Sequence, residues 1–281
     1  MSLLDYVSRP KNIGEKSRLR PALLWADFCL WRWTGRSLLL KHPVRLSALP
    51  PYITPEPTAE NIALYARTVQ ANLADPTRHL YRRAMELGPR ILEIGCGSGT
   101  LAVAMALRGK EVWCGDSDRH VNLVGPLADH LGVAESVRPV RFSGEALPFR
   151  DAAFDAVVMR ASLEHVPELD RCLSEVVRVL RPGGTFLFSV PAFPWYEVQA
   201  FLRGDPDLIF DFAHLHPSEL NYWAWRRALK RHFPSVGIWG KEIPGLGELG
   251  SRFSLPPFPS WADRVFAPFS SRLVGEAVKA P

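Results

Sequence analysis

Ile91-Leu92-Glu93-Ile94-Gly95-Cys96-Gly97-Ser98-Gly99-Thr100 is the stretch that decides the fold. Ile91 to Ile94 is a short apolar run with one carboxylate, the length of a buried parallel strand, and glycines at alternate positions follow it at once. A strand therefore runs into a tight turn. Beyond it, Leu101, Ala104, Met105 and Leu107 on an alanine-rich background fit a helix stopped by Gly109. A helix N-terminus offers unpaired N–H groups to an anion, and glycines let the backbone approach a ligand closely. Val112, Trp113 and Cys114 read as a second strand ending at Gly115-Asp116. An acid about 20 residues past the glycines, at a strand tip, is placed to accept hydrogen bonds from ribose hydroxyls.

The alternation continues outward from this unit. Residues 118–131 read as a helix that Pro126 must break or bend, 137–142 as a third strand and 154–159 as a fourth, apolar enough to be central. Leu169, Leu173, Val176, Val177 and Leu180 mark a helix over 168–180 that Arg181-Pro182-Gly183-Gly184 stops, and 185–190 is a fifth strand. A helix over 218–233 and strands at 236–241 and 272–279 complete the pattern. Upstream, Ile62, Leu64, Tyr65, Val69 and Leu73 fit one helix, and 76–87 a second. The expected architecture is α/β: a doubly wound, seven-stranded, mostly parallel sheet whose last strand is antiparallel. Its ligand belongs at the carboxyl ends of the strands.

The 281 residues are enough for one large α/β domain with additions, or at most two small domains. Residues 1–57 form a helical N-terminal arm and a proline-rich connector, and 58–281 the main domain. Insertions at 191–216, which is aromatic, and at 244–271, rich in Gly, Pro and Phe, are candidates for a substrate cover. Within the arm, 18–40 carries Trp25, Trp31 and Trp33 among Arg18, Arg20, Arg32 and Arg36. It either packs on the domain or makes a peripheral membrane contact. The net charge of +5 suits an acidic ligand or an anionic surface, but the basic residues are scattered rather than massed. Cys29, Cys96, Cys114 and Cys172 are far apart, with no metal-ligand spacing, and fit buried thiols in a reducing cytoplasm. The N-terminus lacks the pattern of a signal peptide, and no run approaches the roughly 20 apolar residues of a spanning helix.

The spacing Gly-x-Gly-x-Gly, with Thr100 where a dinucleotide fingerprint has its third glycine, and Glu93 two residues before the first glycine, resembles the class I S-adenosylmethionine-dependent methyltransferases. Later phrases extend the resemblance. Ser143-Gly144-Glu145-Ala146-Leu147-Pro148-Phe149 is similar to the loop that holds adenine in that family. Leu163-Glu164-His165-Val166 and Arg178-Val179-Leu180-Arg181-Pro182-Gly183-Gly184 are similar to phrases of its small-molecule and quinone branch. The resemblance covers residues 90–190. It implies S-adenosyl-L-methionine as cofactor, held by Glu93, Gly95, Cys96, Gly97 and Gly99, by Asp116 and Ser117 at the ribose, by Ser143, Gly144, Glu145 and Ala146 at the adenine, and by Arg160. The family more often has Asp at the Ser143 position, and Glu145 is an acid here that can substitute. Arg160 also suits an anionic substrate or a carboxylate partner.

Methyl transfer from a sulfonium is an in-line displacement that needs alignment rather than a metal or an enzyme nucleophile. A base helps when the acceptor is a hydroxyl or an acidic carbon. His165, after the fourth strand, is the first candidate, with His214 and His216 beyond it. The expected activity is methylation of an O or C atom of a small, hydrophobic, lipid-like acceptor in the cytoplasm or at a membrane. The alternatives are a catalytically silent cofactor-binding partner and a nicotinamide-dependent oxidoreductase. Nucleic acid is not expected as substrate, because no Asn-Pro-Pro-Tyr-type motif and no dense basic stripe is present.

Overall fold

The computed structural model describes residues 56–75, 79–117, 119–196, 199, 220–241, 243 and 262–281. The arm through residue 55, with its 18–40 segment and Cys29, lies outside the described residues, as does most of the two insertions.

β1 (Arg90–Ile94) is buried at every position after Arg90. It lies between β2 (Glu111–Asp116) and β4 (Phe154–Arg160), parallel to both, and β3 (Val137–Arg141) extends the sheet beyond β2. On the other side come β5 (Leu180–Pro191), β7 (Arg272–Val278) and β6 (Ser235–Lys241), giving the order β3-β2-β1-β4-β5-β7-β6. β7 runs antiparallel to both its neighbours. The expected sheet is therefore the observed one. Strand order reverses between β1 and β4, and such a reversal opens a crevice at the carboxyl ends of these strands.

Alternation along β1 sends Leu92 and Ile94 to one face and Ile91 and Glu93 to the other. The first face packs with Val157, Met159, Phe186 and Phe188 beneath α5 (Leu169–Val179) and α6 (Tyr222–Lys230). The second packs with Val112, Val158 and Leu187 beneath α1 (Ala59–Ala74), α2 (His79–Glu86), α3 (Thr100–Ala106) and α4 (Val124–His130). α1 is capped by Thr58, whose Oγ1 accepts the Asn61 N–H, and α6 by Asn221, whose Oδ1 accepts that of Ala224. α2 is tied to β7 by Arg83, which meets both carboxylate oxygens of Glu276, at 2.5 and 3.2 Å.

Several boundaries differ from expectation. The segment around Pro126 divides into a 3₁₀ turn (Arg119–Leu123) and α4, with Pro126 in the first turn of α4, where its missing N–H is not needed. The helix expected over 218–233 is confined to α6, behind its Asn221 cap. Arg181-Pro182-Gly183-Gly184 does end α5, but these residues belong to β5, which pairs with β4 from Leu180 through a register shift between Phe154 and Ala156. A bulge absorbs the extra residues.

Arg178 at the end of α5 holds the loop after β3. Its guanidinium donates to the carbonyls of Leu147 (3.0 Å) and Phe149 (2.7 Å), to Asp151 (2.9 Å) and to both oxygens of Glu175. Glu175 in turn accepts the Leu147 N–H at 2.8 Å. Leu147 is buried, and Phe149 packs edge-on against Phe142 and Phe154. Replacing Arg178 with Met strands two carbonyls and a carboxylate, and should lower unfolding stability by about 2–3 kcal/mol in urea titration. A change under about 0.5 kcal/mol would show that the loop stands without it.

Candidate functional site

The glycine turn is pinned from both sides. The N–H groups of Gly95 and Cys96 donate to the Gly115 carbonyl at the end of β2, at 2.8 and 3.1 Å. Ser162, after β4, donates its hydroxyl to the Ile94 carbonyl at 2.9 Å. Gly95 has φ +70°, and a Cβ there would lie 2.4 Å from the Ser162 Cβ, so only glycine fits. Gly97 has φ +51° but open space around its Cα, the form of a backbone left clear for a ligand. Gly99 precedes α3 as its cap residue. Cys96 is buried, and its thiol is held well above its usual pKa by hydrogen bonding to Cys114 and by burial. The Cys96 thiol lies against the Gly97 carbonyl at 3.8 Å.

Asp116, at the tip of β2, accepts the Gly97 N–H at 3.3 Å, and Ser117 follows it in an exposed position. The loop after β3 closes tightly, with Ser143 bridged to Ala146 and the Ser143 Oγ accepting the Glu145 N–H at 3.3 Å. A Cβ on Gly144 would lie 3.2 Å from the Ile94 side chain, so this loop is laid against the end of β1. Glu145 accepts the Glu168 N–H at 2.7 Å at the start of α5. One of its oxygens thus holds the loop to the helix.

Glu93 is fully buried, and its carboxylate faces the Ala102 N–H of α3 without either oxygen closing a well-formed hydrogen bond. Burial pushes its pKa up to about 8, and the charge of Arg160 offsets only part of that. Arg160, at the end of β4, has a buried Nε without a hydrogen-bond partner among the described residues, and its guanidinium lies 5.9 Å from the centre of the Tyr81 ring. His165 sits half-buried in the 3₁₀ turn Leu163–His165, at the same end of the sheet. His214 and His216 lie outside the described residues.

So the fold gathers Glu93, the glycines, Asp116, the 143–146 loop, Arg160 and His165 at the carboxyl ends of four neighbouring strands. Tyr81 and Glu164 join them unforeseen. Glu164 is 2% exposed, its Oε2 has no partner, and burial raises its pKa to about 8 against the opposing charge of Arg272. The signal for Glu164 was its place beside His165; Tyr81 gave none, because it reaches the crevice from α2. Among the described residues no group of three His, Cys, Asp or Glu side chains could hold a metal ion.

Residues 92–188 match the family model described as a methyltransferase domain. Over this region the chain is similar to proteins named as methyltransferases. It is 32% identical to the ubiquinone/menaquinone biosynthesis C-methyltransferase UbiE of Rubrivivax gelatinosus, over 44% of this chain and 50% of that protein. It is also 32% identical to the demethylmenaquinone methyltransferase of Clavibacter sepedonicus, over 57% of this chain and 64% of that protein. The chain thus spans between half and two thirds of the length of these curated relatives. The fold also matches that of a solved geranyl diphosphate methyltransferase in complex with SAM, at a TM-score of 0.52 and 19% identity, over 75% of this chain and 95% of that one.

The two raised carboxyls set a pH dependence. Between the ordinary carboxyl value of 4.5 and about 8, the folded protein binds more protons than the unfolded chain, so these groups make stability fall as pH rises. Glu93→Gln removes one of them. Its melting temperature relative to the natural protein should rise between about pH 5 and pH 8.5 in ligand-free scans. A difference that does not change with pH would show that Glu93 ionises normally.

Proposed function

We propose that the protein transfers a methyl group from S-adenosylmethionine to an O or C atom of a small hydrophobic acceptor. One observation carries the reading. A fully buried carboxylate that closes no well-formed hydrogen bond stands directly before a glycine turn whose Gly97 leaves room for a ligand, with Asp116 beside it. This donor set fits the cofactor: Asp116 for the ribose hydroxyls, the 143–146 loop for the adenine, and Glu93 with the turn backbone for the remainder. When bound, the sulfonium supplies an electrophilic methyl carbon, which the acceptor's nucleophilic atom displaces in line.

The names of the relatives support a quinone-like acceptor. The aromatic residues after β5 are in keeping with a hydrophobic acceptor: Trp195 packs on Phe269 and donates its ring N–H to the Pro268 carbonyl. His165 is the candidate base, and His214 and His216 remain candidates through the insertion. Glu164 is a second candidate, favoured by its buried, unpartnered oxygen. The 18–40 segment is the candidate membrane contact. Among the described residues no helix is long and apolar enough to cross a membrane.

Calorimetric titration with S-adenosylhomocysteine tests the cofactor. The natural protein should bind at one site, Asp116→Ala should weaken binding by roughly 10–100-fold, and NAD should give no heat. Labelled methyl from S-adenosylmethionine should then appear in a demethylated quinone. NAD binding in place of S-adenosylhomocysteine would turn the reading to an oxidoreductase, and cofactor binding without turnover on any acceptor to a silent partner.

A further inference from the structure

The exposed apolar surface gathers at one edge of the sheet. Among the described residues five large apolar side chains are exposed, and four of them, Trp223, Val265, Phe266 and Phe269, lie on two segments that touch. Their exposure is 61%, 58%, 36% and 52%. Trp223 is in the first turn of α6. The other three belong to a short helix, α7 (Ala262–Val265), and the 3₁₀ turn that follows it (Ala267–Phe269). This second segment leads into β7, which runs antiparallel to β5 and β6. It therefore sits at the carboxyl edge, where β6 ends. α6 descends from the same edge toward the start of β6, which puts Trp223 there too.

The segment is anchored so that these side chains stay outside. A Cβ on Gly240 of β6 would lie 2.7 Å from the Ala267 Cα, so the turn rests directly on the strand, and Ala267, Ser270 and Ser271 are buried beneath it. On the opposite face of β6, Lys241 pairs with Asp263 and the Arg264 guanidinium lies 5.6 Å from the centre of the Trp239 ring. The charge around the patch is of one sign. Residues 220–231 and 262–272 carry Arg226, Arg227, Lys230, Arg231, Arg264 and Arg272 against a single acid, Asp263. Lys241 already holds that acid, and Arg231 is paired with Asp170. On α6, Trp223, Arg227 and Lys230 are spaced to share one face, and all three are exposed.

We propose that this edge docks on an anionic phospholipid bilayer, with Trp223, Val265 and Phe266 entering the boundary between headgroups and acyl chains and Arg227, Lys230 and Arg264 meeting the lipid phosphates. Contiguous exposed apolar side chains rimmed by charge mark an interaction surface. The charge decides the occupant. A second copy of this chain seated here would bring the same cations against these, whereas an anionic leaflet carries a negative potential that attracts each of them. Tryptophan and phenylalanine suit the lipid boundary, where one side is apolar and the other wet. This surface is distinct from the 18–40 segment and independent of the cofactor. It borders the edge on which the crevice opens, so docking sets the crevice toward the lipid.

The test is sedimentation of the full chain with vesicles of phosphatidylcholine alone and of phosphatidylcholine with about one third phosphatidylglycerol. The natural protein should bind the anionic vesicles about tenfold or more tightly than the neutral ones, and added salt should release it. Val265→Ser combined with Phe266→Ser should weaken binding to anionic vesicles by about tenfold or more and leave the salt dependence in place. Arg227→Gln combined with Lys230→Gln should weaken it by about tenfold and flatten the salt dependence. All four positions are exposed, and a melting temperature within about 3 °C of the natural protein reports that each pair is folded. Binding that neither pair weakens puts the lipid contact elsewhere, as in the 18–40 segment, and overturns the assignment. So does binding to neither kind of vesicle, or a dimer in sedimentation velocity that the Val265 and Phe266 changes break apart.

Discussion

The structure depends on the clamp at the tip of β1. A single carbonyl, that of Gly115, accepts two successive N–H groups from the glycine turn, while the Ser162 hydroxyl closes on the Ile94 carbonyl from the opposite strand. The turn is thereby locked between β2 and β4 instead of being free to pack against its own helix. A parallel strand offers no hairpin neighbour to hold its end, so these long-range bonds do that work. Gly95 is required because the Ser162 side chain occupies the place of any Cβ.

From that clamp the site follows by register. Each strand of the parallel set ends at the same edge, and each contributes one chemical function there: a carboxylate on β1, an acid on β2, a closed loop after β3, a guanidinium on β4. Rigidity comes from behind. Arg178 holds the β3 loop from α5, Glu145 ties it to the Glu168 N–H just before that helix, and Tyr81 backs the β4 guanidinium from α2. Side chains fixed in this way meet a ligand with little further ordering to lose.

The two buried glutamates stand apart from this satisfied framework. Glu93 and Glu164 both keep oxygens inside the protein that close no well-formed hydrogen bond, and burial raises both pKa values to about 8. Neither gains stability for the fold, since an unpaired buried carboxyl is disfavoured when charged. Both lie at the carboxyl end of the sheet, Glu93 just before the glycine turn and Glu164 beside His165 in the turn after β4.

The sequence by itself determined the alternation of strands and helices, the glycine turn and the acid that follows it, because these are carried by local periodicity and by residues a few positions apart. It also placed the 143–149 loop and the end of α5 in the right order. Tertiary structure alone decided which side chains meet. Glu145 reads as an adenine contact, yet one of its oxygens is taken by the Glu168 N–H across 23 positions of chain. Glu93 and Arg160 share a face only because Glu93 pairs with Val158, a matter of register between strands that no local pattern specifies. Tyr81 is legible as a helical apolar residue and nothing more until α2 is docked on the sheet. Periodicity tells a residue which way to face; only packing tells it what it faces.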